Sequence, residues 1–138
     1  MSSRVRLRLW SEPLIIARLA GVPPAVPEAT VDGPPICLLI GHGEVTLVAP
    51  RAVIEACGVA VEELSEDWRA ITLDAVLPFT AVGVLAAASR VLAEVGVPVV
   101  VMSSFRTDHL LVPGRQVGRA IAALRHANLE RYIPAWQQ

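Results

Sequence analysis

Length, composition and charge exclude several broad classes of protein. The chain has 138 residues, of which 54% are hydrophobic, so it can bury the core of one domain or of two small modules. The formal net charge of −1 gives no long-range attraction to nucleic acid or to an anionic membrane. The N-terminal residues alternate arginine with apolar residues, unlike a signal peptide, and no window approaches the roughly 18 apolar residues of a membrane span. We expect a soluble cytoplasmic protein with no nucleic-acid or membrane partner.

The first half of the chain is predicted to contain two β-hairpins and a short helix. Alternating apolar residues indicate strands, and clusters of glycine, proline and polar residues indicate turns. The predicted elements are a strand over residues 5–9, a turn at 11–13, a returning strand over 14–19, an irregular connection over 23–35, a hairpin over 36–48 around Gly41-His42-Gly43, and a helix over 50–57 that Gly58 ends.

The second half follows the order strand, helix, strand, turn, strand, helix. The predicted elements are a strand over residues 69–75, a helix over 79–95, strands over 97–102 and 110–112, and a closing helix marked by Val117, Ile121 and Leu124. The helix from Phe79 is apolar over most of its circumference. Its small residues Ala81, Gly83, Ala87 and Ala88 would allow another helix to approach closely. We therefore expect this helix to bury two faces.

The polar turn of the second half carries a family resemblance. Residues 103–112 read Ser-Ser-Phe-Arg-Thr-Asp-His-Leu-Leu-Val. With the order of elements, the segment Trp68-Arg69-Ala70-Ile71 and the helix from Phe79, this motif resembles the ACT domain from about Asp67 to Ala127. The closest branch resembles double-ACT proteins related to the arginine sensors of the TOR pathway and their small bacterial relatives.

The resemblance implies an α+β chain built from two tandem ferredoxin-like ACT modules of the order βαββαβ. Each module would have an antiparallel sheet with helices on one face. We expect a degenerate ACT-like module over residues 1–66 and an ACT domain over residues 67–138.

The resemblance also implies a function. ACT domains usually bind amino acids as regulatory elements, so we expect a small amino-acid sensor whose ligand lies at an interface between ACT modules. We expect side-by-side pairing of modules, a homodimer and an unidentified protein partner. No enzymatic activity and no cofactor are expected.

Two segments are the predicted ligand-binding residues. The first is the loop of Asp74, Ala75, Val76 and Leu77, which leads to a helix N-terminus where unpaired backbone N–H groups could bind a carboxylate. Pro78 stands here in place of the acidic residue of related sequences, so fewer anions of the protein compete for these donors. The alternative is that Thr80 and water satisfy the same N–H groups.

The second segment is the turn with Ser104, Thr107 and Asp108. The carboxylate of Asp108 could bind the ammonium group of an amino acid, because paired charges tolerate partial burial. The resemblance implies the same role for the matching aspartate of the arginine sensors. The alternative is an Asx-type turn, in which Asp108 accepts backbone N–H bonds from its own hairpin.

Other chemistries are less well supported by the sequence. The cluster of Ser103, Ser104, Asp108 and His109 contains the ingredients of a hydrolase triad, but adjacent strand residues point to opposite faces and no nucleophile elbow is present. The histidines lack metal-ligand spacing, and Cys37 and Cys57 are expected to be buried free thiols. The runner-up function is a structural or protein-interaction ACT module without a ligand. It rests on Ala75 and Pro78, which replace the glycine and the acidic residue of the related binding loop.

Overall fold

The computed structural model describes residues 5–75 and 82–132, and these residues form two compact units. The first unit comprises residues 10–70, and the second comprises residues 5–9 and 71–132 of the described chain. Each unit contains one four-stranded antiparallel sheet. Among the described residues, no helix is long and apolar enough to cross a bilayer.

The sheet of the first unit has the strand order β3-β4-β2-β5. Its elements are β2 (Ile15–Leu19), β3 (Cys37–Gly41), β4 (Glu44–Ala49), the helix α1 (Arg51–Glu55) and β5 (Val61–Leu64). Strand β2 buries every second side chain, Ile15, Ala17 and Leu19, in a core shared with Leu47 and Ile54. Residues 20–36 contain no helix, so α1 is the unit's one helix. This is the ferredoxin-like strand order with the first helix of the module missing.

The tight hairpin between β3 and β4 is confirmed. Gly41 pairs with Glu44, which leaves His42 and Gly43 as the two central residues of the turn. Both have positive φ, 53° and 78° respectively, as in the type I′ turns that match the twist of paired strands. Helix α1 also agrees with expectation, because Pro50 caps its start and Gly58 follows its end with a φ of 85°.

The sheet of the second unit has the strand order β1-β6-β8-β7. The elements are β1 (Arg6–Leu9), β6 (Trp68–Asp74), α2 (Val84–Glu94), β7 (Val100–Ser103), β8 (Asp108–Pro113) and α3 (Val117–Arg125), with 3-10 helices at Gly114–Gln116 and Leu129–Tyr132. Residues 68–70 of β6 group with the first unit. The core is formed by Ile71, Leu73, Leu110 and Val112 of the sheet against residues of α2 and α3. The predicted α+β, ferredoxin-like class is confirmed.

Strand β1 pairs differently from the prediction. The predicted hairpin between residues 5–9 and 14–19 is wrong. Strand β1 instead pairs antiparallel with β6, from Arg6 opposite Asp74 to Leu9 opposite Ile71. Residues 11–13 form a bend rather than a reversal, and Leu14 then bridges Trp68. The sequence-based division placed residues 1–66 together, whereas the structure places β1 in the sheet of the second unit.

Helix α2 begins later than the prediction from Phe79. Residues 79–81 lie outside the described residues, and the helix begins at Val84 after Gly83, whose φ of 97° is left-handed. A right-handed helix cannot run through that conformation. Ala87 and Ala88 are buried in the core of the unit, while Leu85 is 38% exposed. The described part of α2 therefore buries one face, and both alanines belong to the fold rather than to an outer contact surface.

Candidate ligand-binding site

The described site residues lie at one end of the second sheet. Strand β6 ends at Asp74 and its neighbour β8 begins at Asp108. Because adjacent antiparallel strands run in opposite directions, these two ends lie at the same end of the sheet. Ala75 follows in a bend, with its N–H donating to the carbonyl of Leu73 at 2.8 Å. Val76 and Leu77 of the predicted site, together with Pro78 and Thr80, lie outside the described residues.

The turn between β7 and β8 is closed by its own hydrogen bonds. The N–H of Ser104 donates to the carbonyl of Thr107 at 2.8 Å. The Ser103 hydroxyl donates to Oδ1 of the half-buried Asp108 at 2.7 Å. In the part of the chain that the structure describes, Asp108 thus accepts a side-chain hydroxyl, and no backbone N–H bond of the Asx type reaches it.

His109 connects the turn to strand β6. Its Nδ1 lies 2.9 Å from Thr72 Oγ1, and its Nε2 lies 2.6 Å from Ser104 Oγ. Thr72 and His109 are 6% and 8% exposed, so this polar chain is largely shielded from water. Thr72 alternates with the core residues Ile71 and Leu73, which puts its side chain on the sheet face opposite the helices.

Burial lowers the pKa of the His109 imidazole, because it disfavours the charged ring. The negative charge of Asp108 opposes this pKa shift without overcoming it. His109 is therefore a shielded residue of β8, a placement that the spacing of the histidines did not reveal. The available signal was a serine five residues earlier in a tight turn, within reach of the ring across the hairpin.

The geometry does not assemble the triad of Ser104, Asp108 and His109. A catalytic histidine of this type needs a carboxylate on the nitrogen that faces away from the nucleophile. Thr72 occupies that position here, and Asp108 bonds to Ser103 instead. No group of three or more His, Cys, Asp or Glu side chains that could hold a metal is found among residues 5–75 and 82–132. Cys57 is buried as expected, whereas Cys37 is partly exposed, and both are free thiols.

The candidate site is open at the surface. Two cavities of about 370 and 480 Å³ lie elsewhere, one beside β1 and the end of α3, the other between residues 24–28 and 52–58. Neither is lined by Ser104, Thr107 or Asp108. Phe105, in the turn, is 74% exposed, and Val82, just before α2, is 83% exposed. Exposed apolar side chains therefore lie in the turn and just before α2.

The lowered pKa of His109 predicts a loss of stability in acid. The unfolded histidine takes up a proton near its ordinary pKa of 6.5, while the folded histidine stays neutral to lower pH. The unfolded state then binds more protons, so the free energy of unfolding falls as the pH drops below about 6.5 through the folded-state pKa. When measured by urea unfolding over this pH range, the free energy of unfolding should fall more steeply toward low pH for the wild type than for His109→Gln. Parallel stability curves for the two proteins would contradict this prediction.

Each of the two units has its own sheet with the ferredoxin-like strand order. Comparisons with known proteins agree with this fold class. Residues 63–126 match the family model of the ACT domain, so the resemblance noted from the sequence is confirmed over that segment. A protein from Agrobacterium tumefaciens has a similar crystal structure, with a TM-score of 0.69 and 23% identity over 91% of this chain and 90% of that one. No curated protein matches the sequence significantly.

Two further solved structures have the same fold. A Vibrio cholerae protein of unknown function has a TM-score of 0.63 and 22% identity over 88% of both chains. The ligand-free regulatory subunit of aspartate kinase from Thermus thermophilus has a TM-score of 0.62 and 14% identity over 91% of this chain and 99% of that one. At such identities the likeness concerns the fold.

Proposed function

We propose that the chain is a small regulatory protein that binds an amino acid at the end of its second sheet. The ACT-domain match and the fold shared with a regulatory subunit of aspartate kinase support a regulatory rather than a catalytic role. The observation that carries the proposed site is the position of Asp108, a half-buried residue at the start of β8, where the strand meets an exposed turn. The bound amino acid would signal to a protein partner.

Asp108 is suited to an ammonium group. One of its oxygens, Oδ1, is held by the Ser103 hydroxyl, which fixes the carboxylate in one orientation. The second oxygen can then accept a charge-assisted hydrogen bond from the ligand. Thr107 directly precedes Asp108 in the chain, and Ser104 belongs to the same turn. We propose that polar groups of Ser104 and Thr107 take the remaining donors of the ammonium group.

The start of α2 is suited to the ligand's carboxylate. Gly83 caps the helix without a side-chain hydrogen bond, and the first turn contains no acidic residue. The N–H groups of a first helical turn lack intrahelical partners and carry partial positive charge. We therefore place the carboxylate donors at Val84, Leu85 and Ala86, further along the chain than the loop from Asp74 to Leu77 predicted from the sequence. Asp74 and Ala75 of that loop remain proposed ligand-binding residues, and Val76 and Leu77 lie outside the described residues.

We further propose that a second copy of the chain covers this open site. Light scattering at tens of micromolar protein should therefore give twice the chain mass of 14.7 kDa. Replacing the exposed Phe105 by serine should weaken the dimer, because burial of an aromatic side chain stabilises an interface. Val31→Ser is the matched control, since Val31 is fully exposed on the first unit. A monomeric wild-type mass would remove the inter-chain part of the proposal.

The second candidate is a structural or protein-interaction module without a ligand. Ala75 favours it, because a side chain stands where related binding loops have glycine. Thermal unfolding with each of the twenty amino acids separates the two functions. A ligand at a hundredfold excess over its dissociation constant stabilises the folded state by about 2.7 kcal/mol. Unchanged melting temperatures across the whole panel would favour the second candidate.

A further inference from the structure

We propose that the second unit has a further ligand site, in the cavity between β1 and the end of α3, and that this site binds a carboxylic acid with an apolar body and no ammonium group. This site is separate from the amino-acid site at the end of the sheet, and neither proposal depends on the other. The lining of the cavity, called the β1–α3 cavity below, consists of Val5, Arg6, Leu7, Leu124, Arg125, Asn128 and Leu129.

The floor of the β1–α3 cavity is apolar and belongs to the core of the unit. Val5 and Leu7 are partly buried against that core, and Leu124 and Leu129 are 2% and 3% exposed. The cavity has a volume of about 370 Å³, and small-molecule sites have volumes of about 300 to 1,000 Å³. An apolar ligand body on this floor would be held by the hydrophobic effect.

The polar side of the cavity is formed by Arg125 and Asn128, at the end of α3. Arg125 is an exposed residue of the last helical turn, and no described residue makes a hydrogen bond or an ion pair with its guanidinium group. The donors of this group are therefore available to a ligand. The exposed Asn128 lies in the left-handed region with a φ of 47°, and its side-chain amide has two further N–H donors.

The end of α3 is compatible with an anion. The last carbonyl groups of a helix carry partial negative charge, which would repel a carboxylate. Here the carbonyls of Ala123 and Leu124 accept the N–H groups of His126 and Ala127, both at 3.1 Å. The positive charge of Arg125 lies in the same turn and offsets what remains.

Arg6 is not assigned to the ligand, because of the alternation of β1. Val5 and Leu7 pack on the core, so the side chain of Arg6 starts on the opposite face of the sheet. Register puts Arg6 across from Asp74 on that face. Arg125 is therefore the charged partner that we assign to the ligand.

The charge of the lining selects the class of ligand. None of the described residues that line the cavity is acidic, so the ammonium group of a free amino acid would find no counter-charge there and would be repelled by Arg125. A carboxylate matches the planar guanidinium group, with two parallel N–H···O bonds. A cation beside an apolar floor therefore fits a carboxylic acid whose remaining atoms are apolar.

The test uses the full chain and three probes of related structure. Octanoate has the carboxylate and an apolar body, octan-1-ol has the same body without the charge, and acetate has the charge with almost no body. Isothermal titration near neutral pH and at fixed ionic strength should give saturable binding of octanoate and none of acetate. Octan-1-ol should bind at least about tenfold more weakly than octanoate, the usual loss for a hydrogen bond to a charged group. Octanoate should also raise the melting temperature, because it binds the folded state alone.

Three variants locate the binding. Arg125→Gln removes the charge at an exposed position, and should weaken octanoate binding about tenfold while leaving octan-1-ol binding unchanged. Arg90→Gln is the matched control and should bind octanoate as the wild type does, since Arg90 is also an exposed helical arginine of the second unit but does not line the cavity. Val5→Trp fills the cavity and should abolish binding of both probes. Its melting temperature shows whether it is folded, and Arg125→Gln decides the question if it is not.

Each contrary outcome overturns a stated part of the inference. Equal affinities for octanoate and octan-1-ol, or full octanoate affinity in Arg125→Gln, would overturn the assignment of an anion to Arg125. Absence of saturable octanoate binding by the wild type would overturn the site itself. If that protein is a dimer by light scattering and Val5→Trp makes it monomeric, the cavity is a contact between copies of the chain instead. None of these results bears on the amino-acid site, which the panel of twenty amino acids tests separately.

Discussion

A fragment of residues 67–132 is expected to remain unfolded on its own and to fold when residues 5–9 are added after its C-terminus. Without β1, strand β6 becomes an edge and the core residues Ile71 and Leu73 lose the neighbouring Val5 and Leu7. A module of this size has little surplus stability, because small domains bury a small fraction of their surface. Loss of one of its four strands should therefore abolish cooperative unfolding.

The structure indicates how residues 5–9 can be joined to the C-terminus of the fragment. Val5 and Leu7 line one surface cavity with Leu124, Asn128 and Leu129, so the start of β1 lies close to the end of the C-terminal helices. A short flexible glycine and serine linker can span such a distance. Circular dichroism during thermal unfolding should show a cooperative transition for the fused fragment and none for the fragment of residues 67–132.

The control for this rescue is a fused fragment of equal length with Val5→Asp and Leu7→Asp. Charged residues at these partly buried positions oppose packing on the core, so this control should behave like the fragment without β1. Equal stability of the two fused fragments, or cooperative folding of the unfused one, would show that β1 contributes nothing essential to the second unit.

Asp108→Asn is expected to weaken amino-acid binding about ten- to hundredfold. The change preserves the shape of the side chain and an oxygen for the Ser103 hydroxyl, but it removes the negative charge. A charge-assisted hydrogen bond contributes roughly 1.5 to 3 kcal/mol, which corresponds to this loss of affinity. Isothermal titration with the amino acid that most stabilises the wild type measures the difference directly.

Two measurements make the Asp108 result interpretable. Asp32→Asn, at an exposed position of the first unit, has the same chemical change and should leave the affinity unchanged. Urea unfolding of Asp108→Asn should resemble that of the wild type, because the half-buried Asp108 contributes less to the core than the fully buried Leu110. Equal affinities of Asp108→Asn and wild type would assign Asp108 to the turn and place the site elsewhere.

Local patterns in the sequence predicted elements whose residues interact with their neighbours in the chain. The strand β6 and the hairpin of β3 and β4 follow from alternation and from glycine in a tight turn. Helix α3 follows from its apolar spacing. The partner of β1 could not be predicted in this way. Alternation shows that one face of a strand is buried, but it does not show which strand lies beside it.

Only part of the candidate site could be predicted from the sequence, for a similar reason. Asp108 was proposed from the motif of the turn, whereas the link from Ser104 through His109 to Thr72 depends on two strands that are neighbours in the sheet and distant in the chain. The start of α2 was misplaced because apolar spacing continues through Gly83, and spacing alone does not reveal a left-handed residue.

The long connection between β1 and β6 has a consequence for folding during synthesis. Domains generally fold as units as the chain emerges from the ribosome, and here the whole first unit is made after β1 and before most of its partner strand. Strand β1 must therefore stay unpaired while the first unit folds. Arg6 and Arg8 alternate with the apolar residues of β1, and such charges act as gatekeepers against pairing with other nascent chains. In the folded protein β1 is an edge strand of the second sheet, and charged side chains on such an edge disfavour pairing with another chain.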